Sequence, residues 1–221
     1  CTQVHERPVQ DYEQLLYVFL SRILKMQCFA IVFHGGDPFT NEALLLSLVK
    51  FCREKGFDGQ LFVITCGKHL NAHIINFMSK YKVHPIIPFG GLARKTPISL
   101  RALTDVTRRL KQKGLNFTIS VVMNNTDDTE IHDLIRNMSP DRILETVILN
   151  LGDKSNLRNV QGVLKKYMLK ATANTFYHNR NFHPCLHGTL AVTVRGDLLP
   201  CPYMRSEVLG NIRDPEVIDI V

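Results

Sequence analysis

Apolar residues along this chain follow two periods in turn. Short, mainly apolar runs occupy residues 28–33, 60–65, 83–88, 117–123 and 146–151, and between them apolar residues recur at every third or fourth position. Such a run, bounded by turn signals, reads as a strand, and 28–33 reads as a strand buried in a parallel sheet. The wider spacing reads as an amphipathic helix. The first helix opens at Asp11, with Gln14 completing a capping box, and carries Leu15, Leu16, Val18, Phe19 and Ile23 as its stripe. A second runs over 41–55 through Leu44, Leu45, Leu48 and Phe51, and Gly56 stops it. Further helices are predicted over 71–81, from Thr96-Pro97 to Lys113, from a cap at Asp127, and from 156 to about 171.

The pattern amounts to five repeats of strand then helix, preceded by a helix that lacks its own strand. Strands separated by helices must run parallel, and right-handed crossovers leave an open doubly wound sheet or a barrel as solutions. Periodicity does not separate the two.

After residue 171 the pattern changes. Leu190 to Val194, a turn at Gly196-Asp197 and a return strand ending in Pro200-Cys201 predict a hairpin that brings Cys185 and Cys201 near one another at its open end. Thiolates paired in this way hold a metal or an iron-sulfur cluster. A zinc site at His183, Cys185 and Cys201 is an alternative, with His187 close by. Cys28 and Cys52 sit in apolar surroundings and read as small buried hydrophobes.

The stretch ending the first strand, His34-Gly-Gly-Asp-Pro38, carries the other candidate chemistry. Gly35 and Gly36 have no Cβ and let a ligand approach the backbone, and Asp37 falls at the carboxyl end of a strand, where parallel α/β folds bind ligands.

Composition narrows the classes. A chain of 221 residues with 45% hydrophobic residues and no long apolar run predicts a globular protein without a membrane span. Cys1 to Pro8 show no signal-peptide core, which points to the cytoplasm and away from a disulfide framework. The net charge of +7 comes from 27 basic residues interspersed with 20 acidic ones. Arg108, Arg109, Lys111 and Lys113, and Lys165 with Lys166, fall on helix faces and predict solvated surfaces, not a nucleic-acid footprint.

Taken together, these residues resemble a radical S-adenosylmethionine (SAM) enzyme with a C-terminal SPASM or twitch-type domain. His34-Gly-Gly-Asp-Pro38 is similar to that family's Gly-Gly-Glu-Pro segment, with Asp37 one methylene shorter than the usual glutamate. Thr65-Cys66-Gly67 lies where the family often has Thr-Asn-Gly. Cys185 through Gly188, Val192, Gly196-Asp197, Pro200-Cys201 and Gly210-Asn211-Ile212 resemble the opening of a SPASM domain. At the fourth strand the family often has Ser-hydrophobic-Asp-Gly, and this chain has Pro88-Phe-Gly-Gly91.

The resemblance implies a partial (β/α)6 TIM-like barrel over 1–173 that lacks its first strand, then a small β-hairpin iron-sulfur segment over 174–221. The family's C-x3-C-x2-C loop has no counterpart, so the chain reads as truncated at both ends, with Cys1 as the last ligand of that loop's 4Fe-4S cluster. Cys185 and Cys201 would hold an auxiliary iron-sulfur cluster. Gly35, Gly36, Asp37, Pro38, Thr65, Gly67 and Asn124 would bind SAM, Asn124 by reaching a ribose hydroxyl, although a strand-end asparagine also forms plain turns. The implied activity is generation of a 5′-deoxyadenosyl radical that modifies a peptide or protein, with a flavodoxin or ferredoxin as possible electron donor. The alternatives are a non-catalytic peptide-binding relative that lost its cluster loop and an α/β protein with a structural zinc.

Overall fold

The computed structural model describes residues 11–26, 28–89, 99–123, 146–151, 170–174, 190–202, 204–214 and 216. They form two compact units. The first holds a six-stranded sheet built from β1 (Ala30–Phe33), β2 (Gln60–Ile64), β3 (Val83–Phe89), β4 (Thr118–Met123), β5 (Thr146–Leu151) and β6 (Lys170–Asn174). Every neighbouring pair is parallel and the spatial order is the sequence order. A doubly wound sheet reverses its order at a switch point, and these six strands contain no reversal. Crossovers of one hand along an unreversed order put the connecting helices on one side of the sheet.

Burial follows that asymmetry. Leu61, Val63, Ile87 and Ile119 are inaccessible, and Val83 and Pro85 are buried on the same face. The apolar stripes of α3 (Ala72–Tyr81), namely Ile74, Ile75 and Met78, and of α4 (Leu100–Gln112), namely Leu103, Val106 and Leu110, are buried as well. On the opposite face Phe62, Ile64, His84, Ile86, Pro88 and Ser120 are only half-buried. There His84 Nε2 lies 2.8 Å from Thr118 Oγ1, and the Phe62 ring meets the His84 ring edge-on at 5.2 Å.

Two strand readings need correction. Residues 28–33 do not make a buried strand: β1 starts at Ala30, pairs among the described residues only with β2, and leaves Ala30 and Val32 exposed, with Phe29 92% exposed beside it. An edge strand has a neighbour on one side only, so its apolar character reflects something other than burial in this sheet. The helix predicted to reach about residue 171 does not include 170 and 171, because Lys170–Asn174 is β6. The helix expected to start at Thr96-Pro97 starts at Leu100 instead: Ser99 is extended at φ −72° and ψ 157°, and its side chain is the cap, accepting from Ala102 N at 3.2 Å. The helix from Asp127 and the body of the helix after 156 lie outside the described residues.

The second unit contains α1 (Tyr12–Ile23), α2 (Glu42–Glu54) from Leu46 onward, and a three-stranded antiparallel sheet of β7 (Ala191–Val192), β8 (Asp197–Leu199) and β9 (Gly210–Asn211). Phe19, Leu198 and Ile212 form its core, with Leu15, Ile23, Leu190 and Val192 packed around them. On α1 the stripe is therefore Leu15, Phe19, Leu20 and Ile23, and Val18 is 47% exposed. Asp11 does not cap α1 as expected: it sits at φ 64° and its side chain makes no capping bond. On α2, Leu48, Val49 and Cys52 are buried, and Gly56 ends the helix at φ 81°. Cys52 is inaccessible, whereas Cys28 is half-exposed and not the buried residue expected. No described helix is long and apolar enough to cross a membrane.

Gly196 shows why the turn between β7 and β8 needs its residue. Its φ is 84°, and a Cβ there would stand 3.0 Å from both Asn211 Oδ1 and Ile212 Cγ1. Asn211 in turn donates through Nδ2 to Asp197 Oδ1 at 3.0 Å and to the Arg195 carbonyl at 3.1 Å. Thr193 Oγ1 receives Asp197 N at 3.1 Å. Gly196-Asp197 and Gly210-Asn211-Ile212 thus lock one small sheet together, which is sufficient physical reason for that residue pattern.

Candidate functional site

The loops that leave β1 and β2 meet at the carboxyl edge of the parallel sheet. After Phe33 the chain passes His34 and two exposed glycines, Gly35 at φ 105° and Gly36 at φ 49°. Both lie in the left-handed half of backbone space, which residues with a Cβ avoid. A Cβ built on Gly35 would meet nothing within 4 Å, so the backbone there faces open space.

Asp37 ends this stretch and starts a 3-10 turn over Pro38–Asn41, with Pro38 at its first position and Phe39 buried. Its carboxylate accepts from Phe39 N at 3.1 Å. It also accepts from across the sheet edge: Thr65 Oγ1 donates at 2.9 and 3.1 Å to the two oxygens, and Cys66 N donates at 2.9 Å. Thr65 is 1% exposed and its amide donates to the Ile86 carbonyl, which extends the β2 to β3 ladder by one bond. Its hydroxyl oxygen receives Gly67 N at 3.1 Å, and Gly67 turns the chain at φ 81° toward Asn71, which caps α3. One hydrogen-bonded chain therefore runs from Gly67 through Thr65 to Asp37.

Gly35, Gly36, Asp37, Pro38, Thr65 and Gly67 are thus neighbours in space although the two loops are 28 residues apart in sequence. Sequence reasoning named all six but missed that Asp37 and Thr65 bind each other. It also missed the Cys66 amide and the His84–Thr118 pair. A threonine closing one strand opposite an aspartate closing the next is the signal that marks such a bond.

Cys66 is half-buried, and its thiol pKa is pushed up by burial, then by its hydrogen bond to Asp37 and that carboxylate's charge. It therefore stays a thiol at neutral pH, and this disfavours it as a metal ligand or nucleophile. Burial pushes Cys52 to about 11 and raises Cys28 too. Of the proposed metal-binding residues, Cys201 is described, and it is wholly buried. Cys1, Cys185 and His183 lie outside the described residues, as do His187 and Asn124. Among the described residues no three His, Cys, Asp or Glu side chains converge as a metal site.

No protein-family model matches the chain, and no curated protein matches it by sequence. Solved structures do. Streptococcus suis SuiB bound to its precursor peptide SuiA superposes with a TM-score of 0.76 at 12% identity, over 99% of this chain and 59% of that one. SuiB bound to S-adenosylmethionine gives 0.73 at 12% identity, over 94% and 58%. Native anSMEcpe with bound AdoMet and the Cp18Cys peptide gives 0.72 at 13% identity, over 100% and 75%. The chain thus spans somewhat under two thirds of the length of SuiB. At such identities, these likenesses establish a shared α/β fold with its parallel sheet.

Proposed function

We propose that this chain is the barrel and following segment of a radical S-adenosylmethionine enzyme that modifies a peptide or protein. The observation that carries the proposal is the exposed Gly35-Gly36 backbone, held by Asp37 and Thr65 at the carboxyl edge of an unreversed parallel sheet. Its support is the fold shared with SuiB and anSMEcpe, whose structures contain AdoMet and, in some cases, peptides. In this reading the six strands, one more than the expected six-unit barrel without its first strand provides, curve into a partial barrel that closes with β6, and the residues after it open a SPASM-like domain.

The residues at the sheet edge suit an amino-acid-like nucleoside. The Gly35 and Gly36 carbonyls lie on backbone that a ligand can approach without meeting a Cβ, and they would receive the ammonium group. Pro38 fixes the exit of the loop, Gly67, itself buried, would shape the β2 side of the site, and Asn124 would reach the ribose. When bound, SAM and a 4Fe-4S cluster would supply the hydrogen-abstracting chemistry, and the protein would orient the reactants and exclude water. Cys1 is assigned to that cluster, and Cys185 with Cys201 to an auxiliary one. Cys201 is buried away from solvent as such a ligand would be, but one cysteine does not by itself make a site. A flavodoxin or ferredoxin would be the electron donor, in the cytoplasm.

A peptide substrate suits the less buried sheet face. A parallel sheet covered on both sides is apolar on both, yet this face carries His84, Thr118 and Ser120 among Phe62, Ile64, Ile86 and Pro88. Uncharged donors and acceptors of this kind match main-chain amides.

Equilibrium dialysis of the whole chain against labelled SAM tests the reading. Saturable binding that Gly36→Val weakens at least tenfold is expected, because valine is strained at φ 49°. Absence of SAM binding by the wild-type chain overturns it.

A further inference from the structure

We propose that Asp37 and Thr65 act as a strut that presets the Gly35-Gly36 backbone, so that the Thr65 hydroxyl governs ligand affinity without touching the ligand. The ligand assignment rests on the SAM reading above, whereas the strut itself rests on geometry alone.

Two adjacent glycines are the most freely rotating pair a chain can contain, and fixing them costs the most conformational entropy. Gly35-Gly36 follows directly on β1, whose ladder with β2 fixes its near end as far as Phe33. Its far end is fixed by Asp37, and Asp37 is fixed by what its carboxylate accepts. Phe39 N holds it within its own turn at 3.1 Å, while Thr65 Oγ1 and Cys66 N hold it to the next strand at 2.9 Å. Thr65 is the anchor: it is buried, its amide is in the ladder, and its hydroxyl both accepts from Gly67 N and donates to Asp37.

The same geometry assigns Asp37 a role different from that of a direct counter-ion. The Phe39 and Cys66 amides and the Thr65 hydroxyl already converge on its two oxygens, so the carboxylate is committed to the loop. A cationic ligand group at this edge is then met by the Gly35 and Gly36 carbonyls, which the strut orients. Asp37 and Thr65 are positioning residues.

Thr65→Val keeps the shape of the buried side chain and removes only the hydroxyl, whereas Thr65→Ser keeps the hydroxyl. Amide hydrogen exchange of the whole chain reads the strut without any ligand. Exchange at Phe39 and Cys66, whose amides donate to the Asp37 carboxylate, is expected to speed up roughly tenfold in Thr65→Val and to return close to wild type in Thr65→Ser. Unchanged exchange in Thr65→Val overturns the strut. Should Thr65→Val fail to fold, Asp37→Asn serves instead, since its NH2 group confronts the donors of Thr65 and Cys66, and the same change in exchange is expected. In folded variants the dissociation constant for SAM is expected to rise roughly tenfold in Thr65→Val and recover in Thr65→Ser. A purely structural role would lower the unfolding midpoint and leave that constant alone, which would overturn the link to affinity. If wild type binds no SAM, the functional reading fails while the exchange comparison still decides the strut.

Discussion

Glycines in this chain are not interchangeable. At Gly196 the backbone is left-handed and the space for a Cβ is already occupied by Asn211 and Ile212. Gly196→Ala is expected to cost about 1–3 kcal/mol in denaturant unfolding; a cost near zero would show that the turn between β7 and β8 relaxes freely. Cys52 carries a second residue-scale prediction. Its raised pKa means that the folded state holds the thiol proton more tightly than the unfolded chain. The resulting stability is complete below about pH 9 and is lost as pH climbs toward about 11, by at most roughly 2–3 kcal/mol. Cys52→Ala should flatten that alkaline decline. Residue identities at the candidate site were legible in the sequence, since Gly35, Gly36 and Asp37 stand together at a strand end. The bond from Asp37 to Thr65 was not, because no local period couples positions 28 residues apart.

Elements were legible where their pattern was strong. The runs at 60–65, 83–88 and 117–123 became β2, β3 and β4 because these runs are rich in β-branched and aliphatic residues. Lys170–Asn174 escaped notice because Lys-Ala-Thr-Ala-Asn has low strand propensity, and its pairing with β5 outweighs that preference. The N-terminus of α1 failed differently: its capping pattern is present, yet Asp11 adopts a left-handed conformation and leaves the cap unmade. The two faces of the sheet give a contrast that stability measurements can read. Ile87→Thr places a hydroxyl where the side chain is inaccessible and is expected to cost about 2 kcal/mol or more. Val32→Thr on the exposed edge strand is expected to stay within about 0.5 kcal/mol. Equal costs would contradict the assignment of a covered and an open side.

At the scale of the whole molecule, an unreversed parallel order, one covered face and a glycine-lined edge are what the proposed ligand site rests on. The sequence pattern allowed an open doubly wound sheet as readily as a barrel, because both begin as alternating strands and helices. Only the pairing order, which is a property of the assembled chain, removes the doubly wound solution for the described strands. The central claim is that SAM binds against the Gly35-Gly36 backbone, and titration followed by NMR at individual amides tests it most directly. The account predicts saturable shifts at Gly35, Gly36 and Cys66. SAM binding that leaves those three amides in place and shifts others would contradict it.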